Sequence, residues 1–205
     1  MITPKQIIEA LQRTGKSKGG LAQALGLRNS AITEIIGGDR NIRAEELPVI
    51  VEYLELDRVP IMGRIGAGGD IEPDYEQVVA DDLGTVKVPI ALPGELIAFE
   101  VKGTSMRPRY DPGDIVVVWA EQKRATEAFY GEEAAVRTRD GRRYLKTITR
   151  GKSRGSVTLT SWNAKPIEKV KLEWIGEIYV TLPRGQIERM RNKAAARSRK
   201  AGKAK

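Results

Sequence analysis

Ser105 and Lys146 are the two side chains of this 205-residue sequence best suited to nucleophilic chemistry. The sequence contains neither Cys nor His, so it excludes disulfides, thiolate metal sites, Cys nucleophiles and a Ser-His-Asp triad. A serine hydroxyl becomes a good nucleophile only when a base removes its proton, and lysine or a carboxylate are the bases that remain. Lysine can act as that base if burial lowers its pKa from about 10.4 towards neutrality.

The stretch around Ser105 predicts a turn between two strands. The segments GTSMRP (103–108) and DPGD (111–114) separate the apolar runs 96–101 and 115–119. Runs of this kind, bounded by Gly and Pro, are typical of strands joined by a turn. Backbone N–H groups at Ser105 and Met106 are then candidates for stabilising an oxyanion. Taken alone, a serine in this context is most often only a turn residue.

Lys146 lies on the second strand of a predicted hairpin. Asp140-Gly141 is a favourable two-residue hairpin turn, and the strand that follows it carries Lys146. Strand alternation puts Lys146 on the same face as Tyr144 and Ile148, which predicts partial burial. Taken alone, a lysine on a strand is usually a solvated edge charge.

The elements that must position these residues are predicted to be strands. Short apolar or alternating runs recur between turn signals at 86–91, 96–101, 115–119, 133–137, 143–149, 157–160 and 174–182. Such spacing predicts a mostly-β domain over residues 73–183. Residues 58–72 form a Gly-rich connector with a strand at 59–65 and the bond Ala67-Gly68 after it. Taken alone, this connector favours a hinge between domains.

Residues 1–57 predict four short helices, so the fold class is α + β with two domains. Thr3 and Ser17 are candidate N-caps, and glycines at 15, 26 and 37–38 end the first three helices. The predicted inward residues of the first helix are Ile7, Ile8 and Leu11. A Gly-containing turn between the second and third helices is the helix-turn-helix pattern.

The net charge of +8 is unevenly distributed. Residues 184–205 carry nine Lys/Arg against one acidic residue, which is nine minus one, or +8, so the other 183 residues balance. Within the neutral part, residues 13–43 carry six bases against two acids, or +4, as a DNA-binding face requires. The basic tail 184–205 is predicted to be a frayed helix or disordered, serving either solubility or non-specific adhesion to nucleic acid.

The segment LAQALGLRNSAITEIIGGDR resembles the Cro/CI-type helix-turn-helix. This resemblance implies that the second of the two helices enters the major groove of DNA. It gives base-edge roles to Asn29, Ser30 and Thr33, with Glu34 as a further candidate, and phosphate roles to Lys16, Ser17 and Lys18. The basic residues Arg28, Arg40 and Arg43 complete the set of DNA-binding candidates.

Arg28 departs from that family, which often has Ser or Thr capping the recognition helix. Asn29 is the alternative cap, and it would shift the register of the base contacts by one. The other interpretation of residues 1–57 is a four-helix scaffold with ordinary solvated charges.

Residues 58–184 resemble the peptidase domain of LexA, the phage CI repressors and UmuD. The motifs are GTSMRP, DPGDIVVV, RRYLKTITR, the closing segment GSVTLTSWNAKPIEKVKLEWIGEIYV, and AG within RIGAGG. The resemblance implies that Ser105 is the nucleophile, Lys146 its base and Ala67-Gly68 the bond that the protein cuts in itself. It also implies a β-rich domain that dimerises. Thr104 replaces a common acidic residue, and Asn163-Ala164 stands where Asn-Pro is usual.

The sequence features together with the family resemblance imply a dimeric repressor that binds double-stranded operator DNA and is inactivated by self-cleavage, which in the family follows DNA damage. The resemblance implies stimulation by a RecA filament on single-stranded DNA. No cofactor or metal is expected. No run reaches the roughly 18 apolar residues that span a bilayer, and the N-terminus lacks a signal-peptide pattern, which predicts a cytoplasmic, nucleoid-associated protein without membrane contact.

Two alternatives remain open. The first is a regulator that has lost self-cleavage and uses its β domain only to dimerise or to sense a ligand. The second is a signal-peptidase-like enzyme that cuts other proteins with the same Ser-Lys chemistry. The predicted organisation is a DNA-binding domain (1–57), a linker (58–72), a peptidase and dimerisation domain (73–183) and a basic tail (184–205).

Overall fold

The structure, a computed structural model, describes residues 2–66, 84–88 and 95–190. The described residues divide into two units. A helical unit contains residues 2–58 with 87–88, and a β unit contains 59–66, 84–86 and 95–190. Among these described residues, no helix is long and apolar enough to cross a membrane.

The helical unit has four helices, as the sequence predicts: α1 (Pro4–Thr14), α2 (Lys18–Leu25), α3 (Asn29–Gly37) and α4 (Leu47–Tyr53). Thr3 and Ser17 are the N-caps of α1 and α2, and their side-chain oxygens accept the N–H groups of Gln6 and Gly20. Gly15 and Gly26 end these helices with φ of 65°, a left-handed conformation that glycine adopts without steric cost. The buried core comprises Ile7, Ala10, Leu11, Leu21, Ala22, Ile32, Ile35, Ile50 and Leu54.

One prediction for the helical unit is wrong, and one alternative that the sequence left open does not hold. Ile8 is 39% exposed, and the smaller Ala10 lies inside instead. The reason is helical periodicity, since residues 7, 10 and 11 share one face whereas residue 8 points about 100° away. Arg28, not Asn29, occupies the N-cap of α3, with extended backbone angles and no side-chain cap hydrogen bond. Asn29 is the first helical residue, so the helix start gives no reason to shift the predicted base contacts by one residue.

The β unit is built on nine strands: β1 (Arg58–Gly66), β2 (Thr85–Lys87), β3 (Leu96–Lys102), β4 (Ile115–Trp119), β5 (Glu133–Thr138), β6 (Arg143–Arg150), β7 (Val157–Thr160), β8 (Ile167–Val170) and β9 (Leu172–Leu182). Their order is β2-β1-β3-β4-β9-β5-β6-β7-β8. An additional β1–β6 pairing joins β1, β3, β4, β9, β5 and β6 into a closed ring. A short 3₁₀ helix, Thr126–Phe129, precedes β5.

Apolar side chains fill two clusters of the β unit. One cluster comprises Ile65, Phe99, Val101, Met106, Tyr110, Val116, Val118, Ala135 and Leu145. The other comprises Phe129, Ala134, Val136, Ile148, Val157, Leu159 and Ile175. The first cluster surrounds the turn that carries Ser105 and therefore fixes the backbone on which that serine sits.

Three details of the β unit differ from the sequence-based expectation. The β5–β6 hairpin has three residues, 139–141, in its loop rather than two, because the Thr138 N–H donates to the Arg142 carbonyl. Strand β8 was not predicted, since its sequence IEKV has polar residues at both central positions. The expected strand 86–91 is represented by β2 alone, and its residues 89–91 lie outside the described residues.

The beginning of the predicted basic tail is an ordered helix over residues 184–190. Ile187 on this helix is buried, and the Arg184 N–H donates to the carboxylate of buried Asp114 at 2.9 Å. The rest of the tail, 191–205, lies outside the described residues.

Candidate functional site

The turn that carries Ser105 is held between the ends of β3 and β4. The N–H of Val101 donates to the Asp114 carbonyl at 2.8 Å, and the N–H of Gly113 donates to the Val101 carbonyl at 2.9 Å. The Asp114 carboxylate accepts the Asp111 N–H at 2.9 Å, which closes the turn from inside. Ser105 is only 2% exposed, so this hydroxyl is placed by tertiary packing rather than left on the surface.

Lys146 lies on β6 opposite Ala134 of β5, in the hairpin formed by those strands. Its side chain is fully buried, and its Nζ donates a hydrogen bond to Ser105 Oγ at 2.5 Å. The two residues are 41 positions apart in sequence, and the β sheet brings their reactive atoms into contact. The sequence predicted only partial burial of the lysine.

Burial lowers the pKa of Lys146 from 10.5 to about 8. Charged ammonium is disfavoured away from water, and loss of hydration is the cause of the shift in the pKa of this lysine. A substantial fraction of the side chain is therefore the neutral amine in mildly alkaline solution. After losing its proton, the amine can accept the proton of the Ser105 hydroxyl across the existing contact.

The main chain around Ser105 offers hydrogen-bond donors. Within the described residues, the N–H groups of Ser105 and Met106 donate to no protein acceptor, although neighbouring ones do. The Arg107 N–H, for example, donates to the Thr104 carbonyl at 3.0 Å. The Ser105 carbonyl is itself held by the Asn163 N–H at 2.7 Å, which orients the peptide that follows the serine. The N–H groups of Ser105 and Met106 are therefore available to donate hydrogen bonds to an oxyanion formed by attack of Ser105 on a carbonyl.

Strand β1 ends between the strands that lead to the two candidate catalytic residues. Gly66 pairs in parallel with Lys102 of β3 on one side and with Tyr144 of β6 on the other. Lys102 precedes Ser105 by three residues, and Tyr144 precedes Lys146 by two. Ala67 and Gly68, which follow directly in sequence, lie outside the described residues.

The candidate DNA-binding residues of the helical unit fall into two groups. Lys18, Arg28, Asn29, Ser30, Thr33 and Arg43 are exposed, and four of them belong to the first turns of α3 or its N-cap. Glu34 is exposed on the same helix. Of the remaining candidates, Lys16 and Arg40 are half-buried, and Ser17 is exposed but caps a helix.

Lys16, Ser17 and Arg40 form that second group. Lys16 Nζ donates to the Tyr53 carbonyl at 2.6 Å and pairs with Glu55 at 2.9 Å, at the C-terminal end of α4. Arg40 pairs with the buried Glu46, and this hydrogen-bonded pair raises the pKa of Arg40 and lowers that of Glu46. The Ser17 hydroxyl oxygen accepts the Gly20 N–H as a helix cap. These contacts give the three residues structural roles in the unbound protein.

The hydrogen bonds that Glu133 accepts beside Ser105 were not predicted from the sequence. Its carboxylate accepts hydrogen bonds from Tyr110 and Trp162, which lie on two separate loops beside Ser105. The only signal in the sequence was an acidic residue at the start of the apolar run of β5. Its partners are 23 and 29 positions away, so the tertiary fold is needed to find them.

Comparison with known protein families finds that residues 60–179 match the family described as Peptidase S24-like. The matched region covers more than half of the chain and includes both Ser105 and Lys146. A comparison with curated proteins gives no significant match.

Proposed function

The chain belongs to the Peptidase S24-like family of serine peptidases, which includes self-cleaving repressors, and from this premise we propose that it is a DNA-binding repressor that cuts its own Ala67-Gly68 bond. Ser105 is the nucleophile and Lys146 is the general base. The observation that carries the proposal is the contact between Lys146 Nζ and Ser105 Oγ at 2.5 Å, made by a fully buried lysine.

In the proposed reaction, neutral Lys146 takes the proton from the Ser105 hydroxyl as Oγ attacks the carbonyl carbon of Ala67. The N–H groups of Ser105 and Met106 stabilise the resulting oxyanion. Lys146 then gives its proton to the departing amine of Gly68, and an ester remains between Ala67 and Ser105. Water, deprotonated by Lys146, attacks that ester, restoring the serine hydroxyl and leaving a carboxylate on Ala67.

The end of β1 supports the choice of bond. In the parallel pairing, Gly66 is level with Tyr144, so a chain that continued in the same register would bring residue 68 level with Lys146. On the other side, Gly66 is level with Lys102, which leads directly into the Ser105 turn. The last described residue of β1 therefore lies beside both strands that lead to the candidate catalytic residues, and such proximity is a large part of intramolecular catalysis.

The helical unit supplies the proposed operator contacts. The exposed residues Asn29, Ser30 and Thr33 on α3 would read bases, and Lys18, Arg28 and Arg43 would contact phosphates. A homodimer would read two half-sites, so its affinity exceeds that of a single helical unit through effective concentration. Cutting at Ala67-Gly68 ends the covalent link of the helical unit and β1 to the strands that follow, and release of β1 from the sheet then ends that gain. A RecA filament on single-stranded DNA remains the predicted trigger.

The test is a footprint on the DNA upstream of the protein's own gene, before and after alkaline incubation of the protein. We expect the wild type to protect a site before incubation and to lose that protection as the chain is cut. The Ser105→Ala variant should protect the same site throughout, since it cannot cleave. Protection that survives complete cleavage, or an absence of any protected site, would refute the repressor proposal.

A further inference from the structure

Glu133 stands between two loops that flank the Ser105 site. One carboxylate oxygen, Oε2, accepts a hydrogen bond from the Tyr110 hydroxyl at 2.9 Å and an ion-paired contact from Arg109 Nε at 3.3 Å. The other oxygen, Oε1, accepts the indole N–H of Trp162 at 2.7 Å. The carboxylate is 17% exposed, so these contacts are only partly open to competition from water.

Each of the two loops also contacts Ser105 or its immediate neighbour. On one side, the Tyr110 N–H donates to the carbonyl of Met106, the residue that follows the serine. On the other side, Trp162 precedes Asn163, whose N–H donates to the Ser105 carbonyl at 2.7 Å. The carboxylate thus connects the two segments that hydrogen-bond to the backbone carbonyls of Ser105 and Met106.

Trp162 shows that this connection is not a by-product of core packing. Its side chain is 65% exposed, so little apolar burial holds the indole in place. The hydrogen bond to Glu133 is a charge-assisted contact, which is stronger than one between neutral groups. The position of the 161–163 loop therefore depends on Glu133 more than on hydrophobic contacts.

We propose that Glu133 is a positioning residue for self-cleavage: by binding Tyr110 and Trp162 with its two oxygens, it fixes the Ser105 turn and the Asn163 loop relative to each other. The inference rests on the proposed function of Ser105 as nucleophile. Glu133 does not touch the reacting atoms and acts through the backbone of the two loops. A small displacement of a reacting group can lower a reaction rate by up to about a hundredfold. Loss of the contacts of Glu133 is therefore expected to slow self-cleavage, because the Ser105 turn could then shift.

The contacts persist over the pH range in which Lys146 loses its proton. Burial, reinforced by the hydrogen bond to Glu133, raises the pKa of Tyr110 to about 12. The tyrosine hydroxyl therefore keeps its donated proton at pH values well above the lysine pKa of about 8. The indole N–H of Trp162 does not titrate in this range.

The experiment compares Glu133→Gln and Trp162→Phe with the matched control Glu173→Gln. Glutamine has the size of glutamate but only one acceptor oxygen, and phenylalanine keeps the aromatic ring without the N–H donor. Glu173 lies on the same sheet and pairs with Arg137 at 2.7 and 2.8 Å, whereas the hydrogen bonds of Tyr110 and Trp162 go to Glu133. Glu173→Gln therefore removes an equal charge without breaking those two hydrogen bonds. Each variant is measured for self-cleavage at pH 9, for labelling of Ser105 by a fluorophosphonate reagent, and for thermal unfolding.

We expect Glu133→Gln to slow both self-cleavage and fluorophosphonate labelling about tenfold, at a temperature where the variant is fully folded. Trp162→Phe should slow both in the same direction, and the double variant should be little slower than Glu133→Gln alone, because both changes break one connection. Glu173→Gln should react like the wild type. Labelling reports the serine itself, so a purely structural role of Glu133 would lower the unfolding temperature and leave labelling of the folded protein unchanged.

The inference is overturned if Glu133→Gln labels and cleaves at the wild-type rates, or if the effects of Glu133→Gln and Trp162→Phe multiply as independent changes. The proposed function fails separately, if wild-type Ser105 is not labelled or the wild type is not cut. Comparison of the wild type with the variants thus distinguishes the two failures.

Discussion

At the residue scale, burial is the property that suits Lys146 to the proposed role of base for Ser105. Lys146 has no exposed surface, and the loss of hydration lowers its pKa to about 8. A general base is most effective when its pKa lies near the working pH. The absence of His and Cys from the sequence made Lys146 a candidate, but only the fold supplies its contact with Ser105.

The depressed pKa of Lys146 also predicts how stability changes with pH. Between the folded value of about 8 and the unfolded value of 10.5, the unfolded chain holds a proton that the folded chain has released. The free energy of unfolding therefore rises with pH across this window, by up to about 3 kcal/mol in total. Below the window both states carry the proton, and the folded state bears the full cost of burying the charge.

This prediction is checked by urea unfolding of Ser105→Ala and of Ser105→Ala/Lys146→Met at pH 7 and pH 10.5. The serine change prevents cleavage, and methionine fills the same space without a charge. The stability advantage of the methionine variant should shrink as the pH rises. A difference between the two variants that is constant with pH would show that the lysine titrates at its ordinary value in the folded protein.

Arg28 is the residue on which the proposed DNA face is most simply tested. It is exposed at the N-cap of α3 and makes no side-chain cap hydrogen bond. In the Ser105→Ala background, Arg28→Ala should weaken binding to the upstream DNA fragment and reduce the slope of log K against log salt by about one. Lys5→Ala is the control, because Lys5 is 84% exposed on α1 outside the candidate face. Equal effects of the two changes would contradict the assigned face.

At the scale of elements, the sequence predicted what local patterns encode. The caps Thr3 and Ser17, the glycine helix ends and most strands of the β unit were found from spacing and turn residues. Strand β8 was not predicted, because a polar edge strand has no alternation of apolar and polar residues. The pairings between distant strands could not be predicted from the sequence either, since nothing local to Gly66 specifies Lys102 and Tyr144 as its neighbours.

The pairings of Gly66 predict that the register of β1 presents the proposed cleavage bond to Ser105, and a matched pair of variants tests this prediction. A Cβ built at Gly66 would meet its nearest neighbours, the Arg143 carbonyl oxygen and a Tyr144 ring carbon, at 3.5 and 4.0 Å, which are ordinary contacts. Gly66→Ala should therefore cleave at about the wild-type rate. Gly66→Pro lacks the N–H and disturbs strand pairing, so it should slow cleavage tenfold or more.

Cleavage of both Gly66 variants is followed by gel electrophoresis at pH 9, and fluorophosphonate labelling confirms that the Ser105 site is intact in each. If Gly66→Pro is labelled normally and also cleaves normally, the register of β1 plays no part in presenting the bond.

At the scale of the whole molecule, the chain is packed into two units. The helical unit and the β unit each have a hydrophobic core of their own. A cut at Ala67-Gly68 would leave β1 attached to the helical unit and end the covalent link of both to strands β2 to β9, so a function that needs both units would be lost once β1 left its sheet. In the proposed function, self-cleavage would use this organisation to inactivate the repressor.

The position of Gly66 within its own sheet predicts that each chain cuts itself. The strands on either side of it belong to the same chain as the bond, so cleavage should follow first-order kinetics with a rate constant independent of protein concentration. A tagged Ser105→Ala chain mixed with the wild type should stay intact while the wild type is cut. Cleavage of the tagged chain would show that one chain acts on another.

The central claim is that neutral Lys146 activates Ser105 to cut Ala67-Gly68, and the pH dependence of self-cleavage tests it most directly. With a lysine pKa of about 8, the first-order rate constant should rise about a hundredfold between pH 6 and pH 10 and level off above the pKa. Mass spectrometry should locate the cut between Ala67 and Gly68, and both Ser105→Ala and Lys146→Ala should remain whole at every pH. A rate that is flat across this range, or a Lys146→Ala variant that cuts at the wild-type rate, would contradict the account.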